Sequence, residues 1–328
     1  MGRGKLTVVS FIVIAFNEEH RISKTLTSIL SQSSRYKFEI IVINDGSTDE
    51  TFNVANNCLK GVVHSQIVDR KDNMGRGSAR NLGSSLAVGE YLAFIDSDVE
   101  LPIDWLEKTV TSIESGNDAV SGIAIPDGDC VVVARISGLS PRVRAGSAKL
   151  TGNNLLIRRS TLAMVPFRKI PYGDDVRLAW DLDLQGFRTE QLPELIVKHS
   201  ERKSYVRTLL WQYQQGKDAT SLLFEYRKFR IPDLVWLSQI FLPILSTLSW
   251  PHINIFLRFI CIFSAFAFSI SVVFIYSRFI FNIYLPRTYM AILINVPMMV
   301  SYLIGRFFGI FVLLKRFSAA GCTMVHHA

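Results

Sequence analysis

Short apolar runs and amphipathic segments alternate four times across residues 8–113, and this alternation is the feature that most restricts the fold. The runs Val8–Ile14 and Phe38–Ile43 are rich in β-branched and aromatic residues, as is typical of strands covered on both faces. The segment between them has apolar residues at helical spacing, at Ile22, Leu26 and Ile29. Ser47 and Glu50 have the spacing of a capping box, which predicts that the second helix begins directly after Ser47. Strands and helices in alternation predict an α/β fold with a mostly parallel sheet flanked by helices.

Acidic residues follow the ends of two of these strands. Asp45 follows the second strand, and the stretch FIDSDV carries Asp96 and Asp98 directly after the apolar run Tyr91–Ile95. Ligands of α/β sheets bind beyond the carboxyl ends of the strands, so we expect these acids to converge on one crevice. Two neighbouring carboxylates favour a cation between them, and a hard divalent metal shared with a phosphate-bearing ligand is the expected occupant. Two solvated loop acids are the alternative for the D-x-D pair taken alone.

The C-terminal third of the chain is apolar and nearly free of acids. Residues 231–328 hold six Lys and Arg against one acid, and they contain apolar runs at 234–250, 255–276 and 289–314. The last two approach or exceed the roughly 20 residues that cross a bilayer as a helix. The first run is shorter and carries Pro243. The sequence therefore predicts an integral membrane protein with two or three transmembrane helices.

Basic residues cluster just before this tail. Residues 198–230 carry eight Lys and Arg against three acids, an excess that favours the cytoplasmic face beside anionic lipid. Residues 130–173 also carry eight Lys and Arg, and no acid. For a membrane-tethered chain this charge favours an anionic lipid or phosphate ligand over nucleic acid. We predict a catalytic domain at residues 1–200, basic juxtamembrane linker helices at 201–232 and a membrane domain at 233–328.

Five motifs occur in an order that is shared with one protein family. They are FIVIAFNEE, VINDGSTDET, NMGRGSARNLG, FIDSDV and YGDDVRLAWDLDLQG, and they lie between residues 11 and 186. Over roughly residues 8–200 the set resembles the family 2 glycosyltransferases, and among them the membrane-anchored transferases of dolichyl- or polyprenyl-phosphate-linked sugars. The resemblance implies a GT-A type sheet that binds a nucleotide-diphosphate-sugar, with Mg²⁺ or Mn²⁺ as cofactor and inversion at the anomeric carbon.

The resemblance also implies roles for residues in the first four motifs. Glu18 and Asp45 would contact the nucleoside, with Asp45 accepting a hydrogen bond from a base N–H. Asp96 would face the ribose or the outer shell of the metal, and Asp98 would bind the metal that bridges the diphosphate. Arg80 would lie near the donor, and a helix-surface cation is the alternative interpretation.

The fifth motif supplies the candidate catalytic base. Family members carry an acid pair here, and the second acid is usually the base, so the resemblance assigns Asp175 as base and Asp174 as its partner. Removal of a proton from the attacking hydroxyl is one half of an inverting displacement. Arg177 stands where relatives usually carry a further acid. Asp181 and Asp183 follow in the same predicted helix, on a face that we expect to be solvated.

Two further resemblances concern the acceptor and the metal. The segment Gly152–Leu155 resembles a short element near the acceptor pocket, which implies acceptor contacts for Asn153 and Asn154. A turn before a strand is the alternative interpretation. His199 is similar in position to a histidine that in some relatives completes the metal or diphosphate site, and an exposed histidine is the alternative.

The sequence is compatible with three classes of function. The leading hypothesis is a glycosyltransferase of glycan biosynthesis that passes a sugar from a nucleotide-diphosphate-sugar to a lipid-linked acceptor at the cytoplasmic membrane face. The acid pair favours a sugar hydroxyl as acceptor, whereas the acid-free tract at 130–173 favours polyprenyl or dolichyl phosphate. A nucleotidyltransferase would normally carry a glycine-rich phosphate loop with a lysine, which FNEEH does not offer. The third class is a non-catalytic membrane protein that binds nucleotide sugar.

Overall fold

A computed structural model describes residues 8–127, 150–170, 173–200, 205–227, 263 and 300–312. The described residues fall in two compact units, one up to residue 200 and one from residue 205. In the first unit the elements are β1 (Val8–Ala15), α1 (Ile22–Leu30), β2 (Lys37–Asp45), α2 (Thr51–Leu59), β3 (Ser65–Arg70), α3 (Arg76–Leu86), β4 (Tyr91–Asp96), β5 (Val99–Glu100), α4 (Trp105–Glu114), β6 (Ala119–Asp127), β7 (Asn154–Arg158), α5 (Arg159–Met164), α6 (Asp174–Leu184) and β8 (Thr189–Ser200). The predicted alternation of strands and helices is confirmed.

One mixed sheet organises the first unit, in the strand order β3-β2-β1-β4-β7-β6-β8-β5. The neighbours β3, β2, β1 and β4 are parallel. β7 runs antiparallel to both of its neighbours, β8 runs parallel to β6, and β5 runs antiparallel to β8. The prediction of a parallel sheet flanked by helices is therefore confirmed for its first four strands, and β7 makes the complete sheet mixed.

Two apolar layers hold the helices on opposite faces of this sheet. Alternate side chains of a strand point to opposite faces, so Phe11 and Val13 pack with α1, α2 and α4, whereas Ile12 and Ile14 pack with α3, α5 and α6. Burial of each such side chain contributes about 1.5–3 kcal/mol to stability. The carboxyl ends of the central strands, which carry the predicted site, are thereby held in a fixed register.

The start of α2 differs from the prediction. α2 begins at Thr51 and has no side-chain cap. Ser47 Oγ instead donates to Asn44 Oδ1 at 2.5 Å and accepts a hydrogen bond from the Asn17 N–H at 2.9 Å. The capping-box prediction was wrong because Ser47 joins the loops that follow β1 and β2.

The second unit contains α7 (Tyr205–Tyr226) and the helical residues 300–312. The two helices lie so close that a Cβ on Gly216 would be 2.0 Å from the Tyr302 carbonyl oxygen. Thr220 Oγ1 donates to the carbonyl of Arg306 at 2.9 Å, across the same contact. The predicted linker helix therefore packs against residues of the tail.

Most of the predicted membrane segments lie outside the described residues. This holds for the run 234–250, for 255–276 apart from residue 263, for residues 289–299, and for residues 130–149 of the basic tract. Among the helices that the structure does describe, none has both the length and the apolar character needed to cross a bilayer. The two or three predicted spans have no support from the described residues and stay a prediction.

Candidate active site

The carboxyl ends of β1, β2 and β4 meet at one edge of the sheet. Asp45 ends β2 and Asp96 ends β4. β1 lies between these strands, with Ala15 beside Asn44 and Ile14 beside Asp96. Neighbouring strands are about 4.8 Å apart, so the two acids follow strand ends that are separated by about 10 Å. The structure thus brings both acids to the same edge, as the sequence predicts.

Arg80 lies at the centre of one cluster of acids. Its side chain is 2% exposed. Nη2 donates to Asp96 Oδ1 at 2.9 Å and to the Gly152 carbonyl at 2.8 Å, and Nη1 donates to Asp174 Oδ2. Burial alone would lower the pKa of Arg80, but Asp174 and Asp96 outweigh burial and raise that pKa above its ordinary value. The helix-surface interpretation of Arg80 is wrong, whereas its place near the donor stays a prediction.

The acid pair Asp174 and Asp175 opens α6, where the positive end of the helix favours negative charge. Burial raises the pKa of Asp174, and Asp175 adds to the rise while Arg80 opposes it. Asp175 is more exposed than Asp174, and its Oδ2 accepts a hydrogen bond from the Gly152 N–H at 3.3 Å. Asp175 is therefore the member of the pair that solvent reaches, as the predicted role of base requires.

Asp98 pairs with His199 at the same edge. The pairing of β5 with β8 places Val99 beside His199, and the Ser200 N–H donates to the Asp98 carbonyl at 2.8 Å. His199 Nε2 consequently lies 3.2 Å from Asp98 Oδ2. Burial raises the pKa of Asp98, but His199 and then Arg21 outweigh burial and hold that pKa well below its usual range. Asp98 is thus a carboxylate with an imidazole beside it.

Glu18 approaches Asp98 from the loop after β1. Arg21 Nε lies 2.5 Å from Glu18 Oε2, and Arg21 Nη1 donates to the Ser200 carbonyl at 3.0 Å. Burial, and then the charge of Asp98, raises the pKa of Glu18 to about 7, although Arg21 opposes the rise. Glu18, Asp98 and His199 therefore form a second acidic group beside the Arg80 cluster.

Asp45 lies two strands away from Asp96 along this edge. Arg70 Nη1 is 3.0 Å from Asp45 Oδ1, and the N–H groups of Met74 and Gly75 donate to the two carboxylate oxygens at 3.2 and 3.0 Å. These bonds fix the loop that leads into α3. Contacts of Asp45 and Glu18 with a nucleoside stay predictions.

The predicted acceptor residues differ in their burial. Asn154 is fully buried, and its Oδ1 accepts a hydrogen bond from the Gly122 N–H at 2.5 Å, which ties β7 to β6. Asn153 is half-buried, and its carbonyl accepts a hydrogen bond from the Asp96 N–H at 3.2 Å. The turn interpretation accounts for these contacts, and Asn153 is the better placed of the two for the acceptor role, which stays a prediction.

The later residues of α6 take structural positions. Arg168 Nη2 lies 3.0 Å from Asp181 Oδ2, so Asp181 is not on a freely solvated face, whereas Asp183 is exposed as expected. Arg177, which replaces the usual acid, is buried, and its Nη1 donates to the Gly173 carbonyl at 3.5 Å. A buried cation therefore stands where the resemblance implies a further acid.

A divalent cation fits beside Asp98 and His199. A carboxylate oxygen and an imidazole nitrogen are ligands that suit Mn²⁺, and these two side chains already approach to 3.2 Å. No group of three His, Cys, Asp or Glu within the described ranges is arranged to hold a cation. A hard cation with few protein ligands takes its remaining ligands from phosphates and water. Two protein ligands would leave most positions around a cation open, and a cation that binds here together with a diphosphate stays a prediction.

Two residues that shape this site were missed in the sequence. Asn17 turns the chain before Glu18 with a φ of 57°, a conformation that Asn adopts more readily than most residues. Arg21 joins Glu18 to the end of β8, which carries His199. The signal for Arg21 was its spacing of three residues from Glu18, which is the spacing of helical ion pairs.

Comparison with known proteins gives a family match for part of the chain. Residues 10–169 match the family model Glycosyl transferase family 2. An uncharacterized glycosyltransferase of Haemophilus influenzae is 37% identical over 116 residues, which is 35% of this chain and 35% of the relative. The UDP-Glc:alpha-D-GlcNAc-diphosphoundecaprenol beta-1,3-glucosyltransferase WfaP of Escherichia coli is 38% identical over 95 residues, or 28% of this chain and 36% of the relative. The matched part spans about a third of the length of these relatives.

A solved structure extends the likeness in fold. The mannosyltransferase PcManGT from Pyrobaculum calidifontis, in complex with GDP-Man and Mn²⁺, is similar with a TM-score of 0.61. The likeness covers 93% of this chain and 88% of that chain at 17% identity, and it concerns the fold alone. Together with the family match over residues 10–169, it supports a GT-A type fold for this part of the chain.

Proposed function

We propose that this chain is an inverting glycosyltransferase that transfers a sugar from a nucleotide-diphosphate-sugar to a lipid-linked acceptor. The observation that carries the proposal is that two pairs of side chains, Asp98 with His199 and Asp174 with Asp175, lie near the carboxyl ends of the strands of one sheet. Residues 10–169 of this sheet and its helices match the glycosyl transferase family 2 model. One pair suits a cation and diphosphate, and the other suits proton transfer. Donor and acceptor chemistry therefore have separate residues.

On the donor side, Asp98 and His199 are the residues that would hold Mg²⁺ or Mn²⁺. A divalent cation stabilises the charge that develops on a leaving nucleoside diphosphate. Asp98 suits this role because its carboxylate Oδ2 lies 3.2 Å from His199 Nε2, so both side chains can reach one cation. The nucleotide-sugar donor is supported by the names of the similar proteins, one of which holds GDP-Man and Mn²⁺.

On the acceptor side, Asp175 is the proposed general base. It takes the proton of the attacking hydroxyl while the new bond forms on the face of the sugar opposite to the departing diphosphate. Asp174 is unsuited to this role because it is buried and bonded to Arg80. General base catalysis typically contributes about 10²- to 10⁴-fold to the rate.

The acceptor that we favour is a sugar hydroxyl on a lipid-linked glycan. WfaP, by its name, acts on a sugar linked to diphosphoundecaprenol, and a hydroxyl needs the base that Asp175 offers. A polyprenyl phosphate is the second candidate, because its oxygen is already ionised and residues 130–173 carry basic side chains and no acid.

Membrane attachment is part of the proposal. Its support is the sequence of the tail, with long apolar runs and a basic excess at residues 198–230 that favours the cytoplasmic face. An integral enzyme of this kind would meet its lipid acceptor at the membrane surface and its nucleotide sugar in the cytoplasm.

The experiment is to incubate membranes that contain the full chain with Mn²⁺ and a panel of radiolabelled UDP- and GDP-sugars. Parallel samples receive polyprenyl phosphate or a polyprenyl-diphosphate-linked sugar, and the extracted lipid is counted. We expect label on the diphosphate-linked sugar. Label on polyprenyl phosphate alone would establish the second candidate. Stabilisation of the chain by a nucleotide sugar without any labelled lipid would indicate a non-catalytic binding protein.

A further inference from the structure

Arg80 connects three segments that belong to different sides of the proposed reaction. Its guanidinium donates to Asp96 at the end of β4, to Asp174 at the start of α6, and to the carbonyl of Gly152 in the turn before β7. Asp96 belongs to the donor side and Asp174 to the acceptor side. At 2% exposure, Arg80 acts on any substrate through these protein contacts.

Gly152 extends this connection to Asp175. The carbonyl oxygen of Gly152 accepts from Arg80 Nη2 at 2.8 Å, and its N–H donates to Asp175 Oδ2 at 3.3 Å. A Cβ at this position would lie 2.6 Å from Asp175 Cβ and 3.0 Å from Arg80 Nη1, so the contact requires glycine. Gly152 therefore connects the buried guanidinium of Arg80 to Asp175, the proposed base, through its two backbone hydrogen bonds.

We propose that Arg80 is a positioning residue that fixes Asp175 relative to Asp96, and hence aligns the base with the bound donor. This inference rests on the proposed function. It assigns to Arg80 an effect on the acceptor side, whereas the motif NMGRGSARNLG, which contains Arg80, implies only a place near the donor. The planar guanidinium is suited to the task because its five N–H donors lie in a rigid fork, whereas a lysine ammonium offers no such geometry.

The expected defect is one of alignment. Arg80→Lys keeps the positive charge beside Asp96 and Asp174, but it loses the fork that reaches three oxygens at once. A misplacement of about 1 Å at a reacting group costs up to about 10²-fold in rate. We therefore expect turnover to fall about 10- to 100-fold, while the affinity for nucleoside diphosphate stays within about twofold of the unsubstituted chain.

The test uses the purified full chain and three variants, Arg80→Lys, Asp175→Asn and the double variant. Binding of GDP and of UDP, each with Mn²⁺, is measured by thermal shift. Transfer is measured with the labelled sugar donor that the membrane assay identifies. The matched control is Arg159→Lys, because Arg159 also donates to a backbone carbonyl, that of Gly89 at 2.7 Å, but lies at the opposite edge of the sheet. Arg159→Lys reports what loss of a structural arginine does to turnover.

If Arg80 acts through Asp175, the double variant transfers no more slowly than Asp175→Asn alone, since residues that act as a unit are not additive. The inference would be overturned if the double variant lost turnover by the product of the two single losses. It would also be overturned if Arg80→Lys kept full turnover, or if Arg80→Lys lost nucleotide binding and turnover in equal proportion. Should Arg80→Lys fail to fold, Gly152→Ala replaces it with the same expectations. A chain that without substitution binds no nucleotide and labels no lipid would reject the proposed function instead.

Discussion

Arg80 donates a hydrogen bond to Asp96 at 2.9 Å from a position where only 2% of its side chain is exposed. A buried guanidinium and its acids depend on one another, because removal of one partner leaves a buried charge without compensation. Asp96, the first acid of the D-x-D pair, therefore lies at the candidate site and is also hydrogen-bonded to a buried side chain.

This dependence predicts a large loss of stability for Arg80→Met. Asp96 and Asp174 would lose their cation, at a cost of about 3–5 kcal/mol in the free energy of unfolding. Denaturant unfolding of the purified full chain measures the loss. Arg188→Met, at an exposed arginine, is the control and should change stability by no more than about 0.5 kcal/mol. Equal stability of the two variants would show that the buried ion pairs contribute little.

Glu18 predicts a specific dependence of stability on pH. Its pKa is raised from 4.5 to about 7 on folding, so folding favours the protonated acid. That contribution is complete below pH 4.5, is lost as the pH rises to about 7, and is constant above it. Glu18→Gln stays uncharged and should exceed the unsubstituted chain in stability by about 1–2 kcal/mol at pH 8 and not at pH 4.5.

Denaturant unfolding of the unsubstituted chain and of Glu18→Gln, in EDTA between pH 4.5 and 8, measures this difference in stability. Glu194→Gln, at an exposed glutamate of β8, is the control and should show no such trend. A difference for Glu18→Gln that stays flat across this range would contradict the burial argument.

Asp98→Asn should remove the effect of Mn²⁺ on nucleotide binding. An amide replaces the charged ligand, so a cation loses its main attraction to the site. At a nucleotide concentration of about 100 Kd, ligand binding stabilises a protein by about 2.7 kcal/mol, and we expect the Mn²⁺-dependent part of the GDP or UDP shift to vanish. Asp183→Asn, an exposed acid on α6, should keep it. An undiminished Mn²⁺ effect in Asp98→Asn would place the cation elsewhere.

Gly305→Ala should open the contact between α7 and residues 300–312. A Cβ at Gly305 would lie 1.9 Å from the Tyr213 carbonyl oxygen, and such overpacking costs about 1–3 kcal/mol. Limited proteolysis of the full chain should then cut within residues 205–227 about tenfold faster. Ile304→Ala, at the exposed neighbouring position, should leave the rate unchanged. Equal rates for both variants would show that the helices tolerate a larger separation.

Local patterns in the sequence were sufficient for the parallel half of the sheet. The alternation of apolar runs and helical spacing gave β1 to β4, and the D-x-D pair was correctly placed after a strand end. The antiparallel insertion of β7 and the pairing of β5 with β8 were not predicted, because both join residues far apart in the chain. It is the second of these pairings that brings His199 to Asp98.

Side-chain roles were harder to predict than elements. Ser47 fits a capping box, yet its hydroxyl is used between two loops, since a local motif competes with tertiary partners. Arg80 is a charged residue of the kind that usually lies on the surface. Its burial follows from its contacts with Asp96, Asp174 and Gly152, which come together only in the folded chain.

In the proposed reaction Asp175 acts on the acceptor, while Asp98 and His199 hold the cation and the diphosphate of the donor. Asp175→Asn tests this division of roles most directly when two quantities are measured on one preparation of the full chain: the affinity for GDP or UDP with Mn²⁺, and the rate of sugar transfer to lipid. We predict an affinity within about twofold of the unsubstituted chain and a rate lowered by about 10²- to 10⁴-fold. Asp183→Asn, on the exposed face of the same helix, should change neither. Loss of affinity and rate in equal proportion, or transfer at the full rate, would contradict the assignment of Asp175 as the base.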